Sequence, residues 1–445
     1  MKERRITRRR AVQLSAAASL PLVHIRTAGA AGKLTVGFWD HWVPGGTETM
    51  RKQVETWAAK NKVEVQVDFI TSQGSKIALT AAAESLAQTG HDLIPFFQWD
   101  VVAYAEHLEP VDDVINELIG KYGKYDSTVE YLAKVGGHWN AVPGTDPNVN
   151  LTCCARISML KQYAGIDIVD MYPAHPSDPA KAAGWTYDAF LKAAEACHKA
   201  GYPFGLGLGS TGDSVNNTGA IFSAFGADLV GAKGEITVTS DKVRRMLEYG
   251  QQLVKYLPAD TVSYDDASNN RALISGKSAL IYNPPSAWAV AKRDAPEVAK
   301  DCWTFPCPSG PAGRFVPWVY VFYGIWKFAK NKSAAKELLG WLMQREQIEQ
   351  RAIASEGFNL PPQLSMADFK IWEEVEPPKG TVYNYPIRPW HNSKPSLSGY
   401  PAPPEIAVQI YNRAIMPTML AKLHSGQSIK DAVDWASHEL EGFVR

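Results

Sequence analysis

Apolar residues along the chain follow two alternating periods. Leu34, Val36 and Phe38 stand at every second position and predict a strand that runs into Trp39-Asp40-His41-Trp42. Met50, Val54, Trp57 and Ala58 then recur at helical spacing behind Gly45-Gly46-Thr47-Glu48. Val63, Val65, Val67 and Phe69 alternate with Glu64, Gln66 and Asp68, the pattern of a half-buried strand. The Ala-rich run from Lys76 to Gln88 reads as a helix closed by Gly90, and Asp92 to Phe97 as a third strand. Strands and helices in this order predict a parallel or mixed sheet covered by helices. Ligands in such sheets sit beyond the carboxyl ends of the strands. There the chain carries Trp39–Trp42 and Gln98-Trp99-Asp100.

Around Gly136–Asp146 the pattern lapses into loop residues, a crossing between lobes. A second α/β region follows. Its expected elements are a helix over Thr186–Lys199, a short strand over Phe204–Leu208, a helix over Lys242–Tyr256 and a buried strand over Ala279–Tyr282. The Pro/Gly-rich stretch Phe305–Pro317 is expected to cross back. Ser333–Glu349 has the periodicity of one long helix, and Pro377–Pro404 is a polar, Pro-rich loop. No internal repeat or low-complexity block occurs. Two domains suit 445 residues better than one.

Charge changes the picture at the amino terminus. Lys+Arg and Asp+Glu balance at 46 each, which argues against nucleic acid or an anionic membrane as partner. Seven of the basic residues nevertheless fall in the first thirty positions, leaving a mildly acidic body of 39 basic against 45 acidic residues. Arg4–Arg10, the uncharged stretch Ala11–Val23 and the small residues Ala28-Gly29-Ala30 have the layout of a cleavable export signal. Thr7-Arg8-Arg9-Arg10-Ala11-Val12 looks like a twin-arginine signal. The uncharged stretch is shorter than the roughly 20 residues that span a bilayer. No cysteine precedes Cys153, so a lipid anchor at the cleavage site is not expected. The expectation is an exported, soluble, periplasmic protein.

Candidate chemistry narrows by elimination. Cys302 and Cys307 could pair in an oxidising compartment, whereas Cys153, Cys154 and Cys197 read as buried thiols. No Cys/His spacing suits zinc or iron–sulfur, so no metal and no cofactor is expected. Gly205–Gly212 is glycine-rich but lacks the Gly-Lys-Ser/Thr ending of a phosphate loop. The pairs Asp112-Asp113, Asp265-Asp266 and Glu373-Glu374 read as solvated faces. What stands out is aromatic placement: among fourteen Trp and eighteen Tyr, several flank amides and carboxylates at element ends. Flat apolar faces beside fixed hydrogen-bonding groups suit a sugar, with its C–H face and rim of hydroxyls.

The ordered segments resemble the extracellular solute-binding proteins of the family-one, carbohydrate type, receptors of ATP-driven importers. The matching pieces begin with Leu34–Trp42, His91-Asp92-Leu93-Ile94, Leu108–Asp113 and Trp139–Pro143. They continue through Gly184–Phe190, Phe225–Asp228 with Ile236–Asp241, and Ser275–Leu280 ahead of Asn283 and Trp288. Phe328–Asn331 with Gly357 and Pro361 closes the set. The resemblance implies an α/β, class II periplasmic-binding-protein fold, two lobes joined by a hinge with the ligand cleft between them. It implies residues 1–30 as signal peptide, 33–143 as the first part of lobe I and 144–313 as the first part of lobe II. Residues 314–358 would return to lobe I, and 359–445 would be mostly lobe II helices. The implied function is capture of a small saccharide or polyol for the permease subunits of an importer, by a monomer that is not an enzyme. The alternatives are an exported carbohydrate-active enzyme or a receptor for a non-sugar solute. Around the cleft the resemblance implies the rings of Trp39, Trp42, Trp99, Trp288 and Trp318, with His41 and Tyr320 beside them. Asp100, Asp146, Asp213 and Asn283 would hold hydroxyls.

Overall fold

A mixed sheet organises the first half of the molecule. Its strands are β1 (Leu34–Trp39), β2 (Val65–Ile70), β3 (Leu93–Phe97), β4 (Val142–Pro143) and β10 (Val321–Ile325), in the order β2-β1-β3-β10-β4. β1 runs parallel to both β2 and β3, and β10 runs antiparallel to β3 and to β4. The computed structural model describes residues 33–146, 149–173, 178–283, 286–374 and 393–444. The expected export signal, the Pro284-Pro285 step and most of the polar loop 377–404 lie outside the described residues. β1 is flanked on both sides and is buried at every position except Thr35, whereas the edge strand β2 keeps the half-buried character its alternation predicts. Helix α1 (Pro44–Asn61) starts with Pro44 in its first turn and stops at Lys62, which takes a left-handed φ of 56°. Helix α2 (Lys76–Ala87) connects β2 to β3, and α3 (Asp100–Tyr104) follows β3.

The chain then crosses to a second half through β5 (Val149–Asn150) and β6 (Cys153–Arg156). β6 is the centre of an antiparallel sheet between β7 (Leu280–Tyr282) and β8 (Cys302–Phe305). Around it pack α4 (Tyr187–Lys199), α5 (Gly212–Phe225), α6 (Asp241–Leu253), α7 (Ser268–Ile274) and α8 (Ser286–Asp294). Thr186 caps α4 by accepting from the Ala189 amide at 3.2 Å, and Trp185 before it is fully buried, its Nε1 donating to the Pro306 carbonyl at 3.0 Å.

The return passes through β9 (Gly313–Val319), the single residue Tyr320, and β10. The two crossings lie side by side: Trp318 pairs with Asn150 and Val319 with Val149. The Leu151 amide donates to the Pro317 carbonyl and the Gly144 amide to that of Val321, each at 2.9 Å. The Pro/Gly-rich stretch expected to cross is instead largely a hairpin, with Ser309 opposite Arg314, and the crossing follows it.

Three further differences have local causes. The helix expected over 333–349 is two, α9 (Lys332–Leu342) and α10 (Arg345–Ala354), because Gln344 takes an extended ψ of 146° between them. Phe204–Leu208 forms no strand; Gly205 and Leu208 donate to the Leu280 and Thr261 carbonyls from a bare extended segment. All five thiols are free and buried: Cys302 packs with Cys154 in one cluster, while Cys307 lies in the main core with Cys153, so Cys302 and Cys307 do not pair.

After α10 the chain stays on the first half, where Ser365 donates to the Tyr122 carbonyl at 2.6 Å. β11 (Ser393–Ser396) then adds in parallel to β9. Helix α11 (Pro404–Asn412) packs on α3, α12 (Ile415–His424) on α5 and α6, and α13 (Ile429–Glu441) on α12.

A buried cation ties the crossing to the helices. Arg351 of α10 has no solvent exposure. Its Nε lies 2.9 Å from Asp146 Oδ2, Nη1 donates to Gln53 Oε1 at 2.6 Å, and Nη2 donates to the Leu342 carbonyl at 2.9 Å and Thr145 Oγ1 at 3.1 Å. Asp146 also accepts from Thr145, Tyr323 and Asn359. Removing one member of such a pair strands the other charge away from water, at about 3–5 kcal/mol. Arg351→Met should therefore lose that much stability in denaturant unfolding. Adding Asp146→Asn should recover part of the loss by removing the stranded charge.

Candidate functional site

A cavity of about 240 Å³ opens where the carboxyl ends of β1 and β3 face the second half. The first half contributes Trp39, the last residue of β1, with Trp42 three positions on. Phe97, the last residue of β3, and Asp100, at the start of α3, stand beside them. The amino-terminal turn of α2 adds Ser75, Ile77 and Ala78. Trp39 is held from behind: its ring lies 4.6 Å from that of His41 and stacks on Phe358 at 5.8 Å.

The opposite wall is polar. Ser210-Thr211-Gly212-Asp213 leads into α5, with Thr211 as its cap, accepting from the Ser214 amide at 3.2 Å. Asp266, Asn270 and Asn283 come from the approach to α7, from α7 itself and from the end of β7. Asn283 is buried and its Oδ1 accepts from Ser286 Oγ at 2.8 Å. Tyr411 and Asn412, from the end of α11, complete the lining.

Three carboxyl groups therefore share one small cavity. Burial raises Asp100 from 3.8 to about 6, against a backbone donation from Phe97 at 3.2 Å. Burial, then the neighbouring charge of Asp266, pushes Asp213 well up, against a hydrogen bond from Asn269 at 3.3 Å. Asp266 is raised by burial and partly restrained by the Asp213 amide and the Thr211 hydroxyl. The Tyr411 phenol is pushed up by burial and by the charge of all three. Among the described residues, no Lys, Arg or His lines the cavity, and no group of His, Cys, Asp and Glu has the arrangement to hold a metal ion.

Of the eleven residues singled out in the sequence, the cavity gathers Trp39, Trp42, Asp100, Asp213 and Asn283. The other six lie elsewhere. Trp99 is a core ring, fully buried, donating from Nε1 to the Ser398 carbonyl at 2.8 Å and meeting Tyr131 edge-on. Trp288 packs in the cluster of Ile281 and Cys154, with Lys292 Nζ 4.9 Å from its ring centre. His41 is committed on both nitrogens, Nδ1 accepting from the Val43 amide at 2.8 Å and Nε2 meeting Asn359 Oδ1 at 3.0 Å; burial lowers its pKa. Asp146 belongs to the Arg351 ion pair. Trp318 and Tyr320 stack on each other at 5.4 Å along the crossing, and the Tyr320 hydroxyl meets Thr128 Oγ1 at 2.8 Å.

Several lining residues escaped the sequence reading. Ser210–Gly212 was visible only as a glycine-rich string without a phosphate-loop ending, yet it forms one lip of the cavity. The expected solvated pair divides: Asp265 faces out to Arg271 at 2.9 Å, while Asp266 lines the cavity. Asn270 and Tyr411 gave no local signal.

A family model described as bacterial extracellular solute-binding protein matches residues 52–377. No curated protein matches the chain. Among solved structures, it is similar to maltose-bound MalE3 of T. maritima, at 19% identity and a TM-score of 0.70, covering 93% of this chain and 100% of that one. A solute-binding protein of an ABC transporter from Thermotoga lettingae, bound with α-D-tagatose, matches at 16% and 0.71 over the same shares of the two chains. A sugar transporter protein from Arthrobacter chlorophenolicus with bound laminaribiose matches at 15% and 0.71, again over 93% and 100%. At such identities the likeness is one of fold: an α/β, two-lobed periplasmic-binding-protein architecture.

Asp100 supplies a measurable consequence. A carboxyl whose folded pKa is raised costs stability where it is charged in both states, above about pH 6, and costs none where both states are protonated, below about pH 4. Asp100→Asn should therefore raise the melting temperature of the ligand-free protein at pH 8. The gain should shrink as the pH falls through 6 and vanish near 4 in melting scans.

Proposed function

The chain belongs to the bacterial extracellular solute-binding proteins, and from that premise we propose that it captures a small saccharide in this cavity. It would then deliver the sugar, chemically unaltered, to the membrane subunits of an ATP-driven importer. The observation that carries the reading is the composition of the cavity wall: Trp39, Trp42, Phe97 and Phe358 offer apolar faces, and Asp100, Asn283 and Asn412 offer fixed polar groups. Apolar rings remove the C–H face of a sugar from water at about 25 cal/mol per Å², while the polar groups orient its hydroxyls. A volume of 240 Å³ is on the scale of small-molecule sites, roughly 300–1,000 Å³, which suits a small sugar. The solved proteins named above hold maltose, tagatose and laminaribiose, which supports the same class.

Capture by closure follows from the two-sided lining, because a ligand touching both halves favours the state in which they meet. Between the two halves, Lys292 Nζ of α8 lies 3.5 Å from Glu356 beyond α10, an exposed pair that adds little by itself. A place outside the cytoplasm agrees with the family, and among the described residues no helix is long and apolar enough to cross a membrane.

A thermal-shift screen against mono- and disaccharides tests the reading. A true ligand raises the melting temperature with its concentration and is recovered unchanged. Turnover of the hit would favour the enzyme alternative, and silence across the panel would remove the saccharide.

Two tryptophans separate site from core. Trp42→Ala should weaken binding of the hit by about 1–3 kcal/mol in calorimetry, with the apo melting temperature nearly unchanged. Trp99→Ala should instead cost about 3–5 kcal/mol of stability. The reverse pattern would place the ligand elsewhere.

A further inference from the structure

The cavity has a charge deficit that a neutral sugar leaves unanswered. Asp100, Asp213 and Asp266 enter it from three separate segments, and among the described residues none of the three is in an ion pair. The buried arginines are already engaged, Arg351 with Asp146 and Arg314 with the Cys307 and Ala182 carbonyls. Asp213 and Asp266 are close enough for the amide of one to meet the carboxylate of the other at 3.4 Å. Two adjacent acids inside a protein repel each other unless a proton or a cation joins them.

Three residues of the lining, Asn216, Asn270 and Trp39, have buried polar atoms without a partner among the described residues, and the last two ask for opposite partners. Asn270 is 6% exposed, and its Oδ1, a hydrogen-bond acceptor, has no partner among the described residues. Trp39 is 3% exposed, and its Nε1, a donor only, has none among them either. Buried polar atoms are usually satisfied, so an unpartnered one in a residue that lines a cavity is a place for a ligand to supply what is missing. The carboxylates and Asn270 call for N–H donors with positive charge. Trp39 calls for an oxygen that can accept, which an alkyl diamine lacks and a sugar hydroxyl has. The ring faces of Trp39 and Trp42 suit both a sugar face and the C–H groups next to an ammonium.

We propose that the solute of this cavity is a small amino sugar, a mono- or disaccharide carrying a protonated amine, with the amine among Asp213, Asp266 and Asn270 and a hydroxyl oxygen at Trp39 Nε1. This rests on the saccharide reading above and names the class within it. The amine is held as an ammonium, so nothing is transferred or cleaved.

The test compares ligands that differ at one group. Calorimetry on the full chain at pH 7.5 would use glucosamine and its β-1,4-linked dimer, their N-acetylated forms, glucose and cellobiose as neutral counterparts, and putrescine as an amine without hydroxyls. The expected result is at least tenfold tighter binding of an amino sugar than of its acetylated and neutral counterparts, with putrescine weaker still. The variant Asp213→Asn, alone and with Asp266→Asn, should reduce that preference to below threefold. Because the ligand comparison is made on the unsubstituted protein, the outcome does not depend on the variants folding. Equal or tighter binding of a neutral sugar would overturn the amino-sugar assignment and leave the saccharide reading standing. Binding of putrescine alone, or of no compound in the set, would overturn both.

Discussion

A guanidinium without access to water holds the junction in place. Arg351 reaches from α10 to Asp146, just beyond β4, and to Gln53 on α1, so one charge fixes two helices against the first crossing. Asp146 passes the constraint on: Asn359 donates to it and accepts from His41, and the His41 ring supports Trp39. The wall of the cavity is thus the end of a chain of buried polar contacts that begins at an ion pair. Such a pair adds little net stability over well-packed apolar residues, but its directional hydrogen bonds define one arrangement of the segments that meet there.

The cavity inverts that logic. Every nitrogen of the Arg351 guanidinium has an acceptor, whereas in the cavity Asp213, Asp266, Asn270 and Trp39 are left short of partners among the described residues. The raised pKa values of Asp100 and Asp213 express the same shortage as a cost in the empty protein. Residues arranged this way contribute to binding what they withhold from stability, because a ligand supplies the missing partner and charge at once.

Much of the fold was legible because it rests on periodicity. Leu34–Phe38 alternates since β1 is a strand, and Thr186 precedes α4 since its hydroxyl meets the Ala189 amide. The candidate site was legible only where it continues such an element, as at Trp39, Trp42, Asp100 and Asn283. Trp99 stands one residue from Asp100, yet the turn into α3 sends the first to the core and the second to the cavity. Sequence neighbours in a turn share no face, so adjacency to a site residue carries little weight. Asp266, Asn270 and Tyr411 belong to the site only through packing of segments far apart in the chain, and Asp146 looked like a ligand group because its partner, Arg351, lies 205 positions away. The helix expected over 333–349 failed for a related reason: one periodicity can run through two helices when the break falls at a polar residue such as Gln344.

The order of strands in the first sheet also sets a timetable for biosynthesis. β3 is complete at Phe97, but its neighbour β10 ends at Ile325, and β4 joins the sheet only through β10. At ribosomal rates of about 5–20 residues per second, the edge of β3 waits roughly ten to fifty seconds for its partner to emerge. Throughout that interval the nascent chain carries an open row of backbone donors and acceptors on an apolar strand, the form most prone to pairing with another chain.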